Sequence, residues 1–239
     1  MACPLFAPRP TRGRRRPARA VVVAVALSAA LLAGCNPDPT GGARPPVPGA
    51  SVPAFSTSAW PATRESLPSS WRDGCPVSWR DLSFVSVAYW GYDGARHTGR
   101  LVVRDSAVAG IQGVFRHLYS VRFQIQRIHP VDVYGASDAR SMAANNTSAF
   151  NCRYVAGTTR WSEHAYGLAI DINPIQNPYV KDGTVDPPAG RSWTDRSHKV
   201  PGMIVRGGHT WNAFAYIGWE WGGDWSSAKD YQHFSQSGR

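Results

Sequence analysis

The chain has 239 residues, of which 43% are hydrophobic and 11% aromatic, enough for one packed core. This excludes a globally disordered chain, a collagen-like rod and a multi-domain machine. The formal charge of +10 would suggest a nucleic-acid partner, but Arg9, Arg12, Arg14, Arg15, Arg16 and Arg19 supply six of its positive charges within the first 34 residues. The remaining +4 argues against nucleic acid as a partner.

The arginine cluster is followed by Ala20 to Gly34, a run of 15 apolar and small residues, which is the layout of a secretory signal peptide. It is too short to span a bilayer comfortably. The run ends Leu32-Ala33-Gly34-Cys35 and resembles the bacterial lipobox, which implies a removable leader over 1–34 and a lipid on Cys35. An uncleaved signal anchor is the competing reading. Cys3 falls in the leader, so Cys75 and Cys152 remain as an even pair in an exported, oxidising compartment, and a disulfide between them is predicted. The rival reading makes Cys152 a nucleophile served by His164.

Residues 36–70 contain eight prolines and three glycines with almost no hydrophobic periodicity, so 35–70 is read as an extended tether and 71–239 as the folded domain. Leu82 to Tyr92, the Asp93-Gly94 turn and Gly99 to Arg104 read as a β-hairpin. Asp105 is placed as the cap of a helix over Ser106 to Val121, with Val108, Ile111, Val114, Phe115 and Leu118 on one stripe. Phe123 to Ile128 reads as a strand, Tyr134 to Asn151 as loop with a short helix, and Leu168 to Ile172 as a compact apolar strand. Ile175 to Pro201 is a loop whose length marks it as functional. A helix around Thr210 to Ile217 and a Trp/Gly segment, 218 to 225, lead to a last strand at Tyr231 to Ser235.

The chemistry concentrates in Ser162-Glu163-His164-Ala165-Tyr166-Gly167-Leu168-Ala169-Ile170-Asp171, where a histidine and an aspartate bracket a glycine and an apolar run. If the glycine allows a close turn, imidazole and carboxylate converge on one ion, and zinc accepts that donor mixture. The bland alternative is a satisfied polar pair beside a buried strand. Asp230-Tyr231-Gln232-His233-Phe234 supplies a third candidate ligand, His233, with Asp230 at the strand entrance, placed to act on water without binding the ion.

These two separated motifs, S-x-H-x-x-G-x-A-x-D and a late D-x-x-H, resemble the D-alanyl-D-alanine carboxypeptidase and L-alanyl-D-glutamate endopeptidase family of bacterial zinc peptidases, over about Phe150 to Phe234. The resemblance implies zinc bound by His164, Asp171 and His233, with Asp230 as general base. Arg153 would bind substrate or stabilise the oxyanion, or else is a surface arginine. Ser162 would orient His164 or substrate, or else caps a turn. The implied fold is α+β, a small mainly antiparallel sheet with helices packed against it and the zinc site at one end. The implied function is hydrolysis of an amide bond in peptidoglycan stem peptides by a lipoprotein anchored to the cell membrane and facing the cell wall. A non-catalytic wall-binding lipoprotein is the alternative.

Ser226-Ser227-Ala228-Lys229 matches the S-x-x-K of serine peptidases, but no K-T-G exists and chance explains it. His97, His117, His129, His198 and His209 have no partner at ligand spacing. Of the ten tryptophans, Trp219, Trp221 and Trp225 are read as core in preference to a groove wall.

Overall fold

The computed structural model describes residues 53–239, so the leader, Cys35 and the first part of the tether lie outside the described residues. Among the described residues no helix is long and apolar enough to cross a membrane.

The fold is α+β and combines three small antiparallel sheets with three short helices. In the first sheet β1 (Thr57–Pro61), β2 (Leu82–Trp90) and β3 (Arg96–Arg104) lie in that order. The hairpin runs in register from Leu82 opposite Arg104 to Trp90 opposite Arg96, with Gly94 in the left-handed region at its turn. β2 is apolar without alternation because both of its faces are covered. Val85, Val87 and Tyr89 meet Ile111, Val114, Phe115 and Leu118 of α1 (Val108–Ser120), while Leu82 and Phe84 pack with Leu67, Phe150 and Cys152.

After α2 (Asp138–Ala143) the chain reaches β4 (Ala169–Asp171), β5 (Tyr179–Lys181) and β6 (Thr184–Asp186). Then come α3 (His209–Tyr216), β7 (Glu220–Trp221), β8 (Lys229–Asp230) and β9 (His233–Ser235). The second sheet has the order β4-β9-β7 and the third β6-β5-β8.

Four expectations are corrected. The tether does not extend to residue 70: Thr57–Pro61 forms β1, antiparallel to β2, and Ala62, Leu67 and Ser70 are buried. Its prolines hid the pattern, and an edge strand tolerates Pro61 at its end. Asp105 does not cap α1; its carboxylate accepts the Ser83 hydroxyl at 2.7 Å, and the helix is entered through a 3-10 turn. Phe123 to Ile128 forms only isolated bridges at Gln124 and Ile128, the apolar run being explained by burial of Ile125 and Ile128. The 175–201 loop contains the hairpin β5–β6 and a 3-10 turn at Pro188–Trp193.

Cys75 and Cys152 are joined in a disulfide with Cα atoms 5.9 Å apart, which leaves Cys152 no thiolate and removes the cysteine-nucleophile reading. The bond closes 77 positions of chain. In the chain-entropy treatment a loop of this length contributes about 4.5 kcal/mol. The Cys75→Ser/Cys152→Ser double variant should therefore lose roughly 2–4 kcal/mol of stability in urea unfolding, and an unchanged midpoint would show that packing alone holds this segment.

Candidate metal centre

Ser162 opens a 3-10 turn, Glu163–Tyr166, and its hydroxyl oxygen accepts the His164 N–H at 3.4 Å. Gly167 closes the turn at φ +68, where a Cβ would come within 2.7 Å of the Arg104 nitrogen. That nitrogen donates to the Gly167 carbonyl at 2.9 Å, so the turn is pressed onto the end of β3 and only glycine fits.

β4 then pairs with β9 so that Asp171 faces His233 and Ile170 faces Phe234. Directly opposed residues share a face of the sheet. The register therefore sends Ile170 and Phe234 into the core and turns carboxylate and imidazole together toward the other side.

His164 Nε2 lies 3.1 Å from Asp171 Oδ2, His233 Nδ1 lies 2.9 Å from Asp171 Oδ1, and the two nitrogens are 3.3 Å apart. All three residues are buried. The other nitrogen of each ring meets a main-chain carbonyl, His164 Nδ1 at Ala149 O (2.6 Å) and His233 Nε2 at Arg239 O (2.9 Å). A carbonyl only accepts, so these outer nitrogens carry hydrogens, and the inner nitrogens face the carboxylate, where they can share a proton with it or turn lone pairs to a bound cation. Three such donors facing one point fit a divalent ion, and two imidazole nitrogens with one carboxylate oxygen are zinc ligands of ordinary kind, leaving a fourth position open. Among the described residues no other group of three His, Cys, Asp or Glu converges in this way.

The electrostatics agree. Burial disfavours charge on Asp171, but His164 and His233 outweigh it and hold its carboxyl well below the usual carboxylate range. Burial likewise opposes charge on His233, yet the hydrogen bond and charge of Asp171, with Asp230 behind, raise it to about 9. The pocket is built to contain positive charge.

Asp230 stands on β8, in the neighbouring sheet. As a residue it is only partly buried, but its Oδ1 is sealed from solvent and has no hydrogen-bond partner. Burial pushes its carboxyl up to about 7, with His233 pulling the other way. His164, Asp171, Asp230, His233, Arg153 and Ser162 all line one cleft of about 670 Å³. Arg153 Nη2 pairs with Asp138 Oδ2 at 2.9 Å, while its Nε is sealed and unpartnered.

Sequence reasoning missed Asp138, Tyr179, Asp186 and Gln232 on the cleft wall. For Tyr179 and Asp186 the only signal was the length of the loop that holds them; Asp138 and Gln232 gave none. Trp219 and Trp221 are core as expected, whereas Trp225 lines the cleft. Of the remaining histidines, His97 and His198 pair with Asp93 and Asp195 at the surface, and His117 meets His209 with the rings tilted at 49°.

Residues 156–236 match the family described as D-alanyl-D-alanine carboxypeptidase, a segment that includes the His/Asp/His cluster and Asp230 but begins after Arg153. The match supports a hydrolytic enzyme of a metallopeptidase family. Comparison with curated proteins and with solved structures gave no match.

Replacing His164, Asp171 or His233 by alanine leaves two protein donors, so each variant should lose bound zinc in metal analysis of the folded protein. Asp230→Ala should keep it. Loss of the metal in Asp230→Ala would move that carboxylate among the ligands.

Proposed function

We propose that this protein is a zinc peptidase that hydrolyses an amide bond in peptidoglycan stem peptides. The observation that carries the reading is the pairing of a buried His/Asp/His cluster with a sealed, partnerless Asp230 oxygen in the same cleft, inside a segment that matches a peptidase family. Bound at His164, Asp171 and His233, zinc would supply a Lewis acid for the scissile carbonyl and lower the pKa of water.

The chain's own groups do the rest. Asp230 accepts a proton from the attacking water and returns it to the leaving nitrogen, a role suited to a carboxyl raised to about 7. Arg153, held through Nη2 by Asp138, lines the cleft, where its guanidinium would meet a substrate carboxylate or the developing oxyanion. Ser162 steadies His164 from the turn, and its hydroxyl hydrogen is left to donate to substrate. The aspartate at 230, where many carboxypeptidases of the resembled family have glutamate, favours the endopeptidase-like branch over the carboxypeptidase-like one.

We place the enzyme outside the cell, lipid-anchored through Cys35 to the membrane and facing the wall, on the strength of the leader and its Leu-Ala-Gly-Cys end. Cys35→Ala should release the protein from the membrane fraction or block processing. Unchanged fractionation and an unchanged mature mass would remove the anchor from the proposal.

Digestion of purified muropeptides, read by mass spectrometry, tests the activity and separates the two branches by the size of the released fragment. Chelation should abolish turnover and zinc should restore it. Asp230→Ala should lose on the order of 10²- to 10⁴-fold in kcat with KM little changed, and Asp230→Glu should regain part of it. Full activity in Asp230→Ala would assign proton transfer to another group, and a zinc-loaded protein that cuts no muropeptide would leave a wall-binding role.

A further inference from the structure

The cleft holds a second set of polar groups that hydrolysis leaves without a task. Tyr179 on β5 is paired on one side with Asp186 of β6 and on the other with Asp230 of β8. The three side chains therefore form one row on one face of the third sheet, and all three line the cleft. Two strand spacings separate the backbones of Asp186 and Asp230, about 10 Å, close enough for one substrate to meet both.

Asp186 has no ion-pair partner among the described residues, unlike Asp138 and Asp171 in the same cleft. Asp138, for comparison, is neutralised by Arg153 at 2.9 Å, and Asp171 by the two imidazoles. Burial, followed by the charge of Asp138, pushes the Asp186 carboxyl up.

A second, independent feature lies in the same cleft. Gln232 is only 2% exposed and lines the same cleft, yet its amide nitrogen meets nothing but Met142 Sδ at 3.6 Å, and its Oε1 has no partner at all. The sulfur is a weak acceptor, which sets the nitrogen toward Met142 and leaves the oxygen free. A buried amide oxygen in this condition is destabilising unless a ligand satisfies it. Met142 and Asp138 lie four residues apart on α2, on one helix face, and both line the cleft.

Carboxylate and amide oxygen are acceptors only. The missing ligand must bring hydrogen-bond donors and positive charge. One carboxylate and one amide are too few ligands for a second metal ion. An ammonium group, with three donors on one compact centre, matches. We propose that Asp186 and the Gln232 side-chain oxygen form a subsite for a primary ammonium group carried by the substrate near the bond that is cut. The inference rests on the peptidase reading of the same cleft and adds a side-chain requirement to it.

The test uses the zinc-loaded full chain and two synthetic stem peptides that differ only in whether the side-chain amine flanking the scissile bond is free or acetylated. The free amine should be preferred by at least roughly tenfold in kcat/KM, as expected for a charge-assisted hydrogen bond gained or lost. In Asp186→Asn the ratio should fall close to one, and Asp186→Glu should restore part of it. Because both substrates meet the same preparation, a smaller folded fraction cancels from the ratio. A native ratio near one, or an unchanged ratio in Asp186→Asn, overturns the subsite. If neither peptide is cut, the peptidase reading is what fails, and equilibrium binding of the two peptides decides the subsite: tighter binding of the free amine, lost in Asp186→Asn, upholds it, and equal binding overturns it.

Discussion

The site depends on one backbone pairing, that of Asp171 with His233 across β4 and β9. A slip of one residue would exchange these two side chains for Ile170 and Phe234, burying a carboxylate in the core and turning apolar groups to the cleft. The register is held from several directions. Phe234 stacks on Phe214 at a centroid distance of 4.0 Å, and Ile170 lies in the main core. On the far edge of β4, Asp171 exchanges main-chain hydrogen bonds with Ser148, at 2.9 and 3.0 Å. This bridge sets Ala149 beside the centre, where its carbonyl fixes the His164 ring. The same strand thus presents Asp171, aligns His233 and positions the group that orients His164.

Around that pairing the chain is anchored by contacts of long sequence span. The disulfide ties Cys75 to the residue immediately before Arg153, and the cluster around it covers the second face of β2. Arg196 secures the opposite wall. Its guanidinium donates to Gln176 O at 2.6 Å, Trp193 O at 2.9 Å and Asn177 Oδ1 at 2.9 Å, and it lies 4.5 Å from the Tyr231 ring centroid. No carboxylate is involved. An arginine used in this way draws a loop rich in main-chain acceptors against the segment between Asp230 and His233, beside the His/Asp/His cluster.

How much of this was legible in the sequence follows from the range of the interactions. The hairpin, α1 and β4 were readable because turn chemistry and apolar periodicity act within a few residues, and the convergence of His164, Asp171 and His233 was readable because two compact motifs carry it. The disulfide followed from cysteine arithmetic and compartment. β1 escaped because a strand on a sheet edge tolerates proline and needs little apolar alternation, so its sequence looked like linker. The ladder at Phe123 to Ile128 was expected because an apolar run looks the same whether it pairs or merely fills a core. Asp138, Asp186 and Gln232 could not be found locally, since their placement comes from α2, β6 and the segment entering β9 converging on one cleft from residues 94 positions apart at the extremes.

Two aspartates in that cleft show how environment divides one kind of side chain into two kinds of work. Asp171 is buried between two imidazoles whose outer nitrogens are pinned by carbonyls, so both rings concentrate their remaining electrostatics on it and its carboxyl stays ionised. Asp230 stands one sheet away with no direct cationic partner, and burial dominates, carrying its carboxyl up to about 7. A group held far below its ordinary value is a fixed anion, fit to bind a cation and poor at exchanging protons. A group poised near neutrality is the reverse. The direction of each shift follows from which neighbours the β4–β9 and β5–β8 registers supply, so the contrast between the two carboxylates is already contained in how the strands pair.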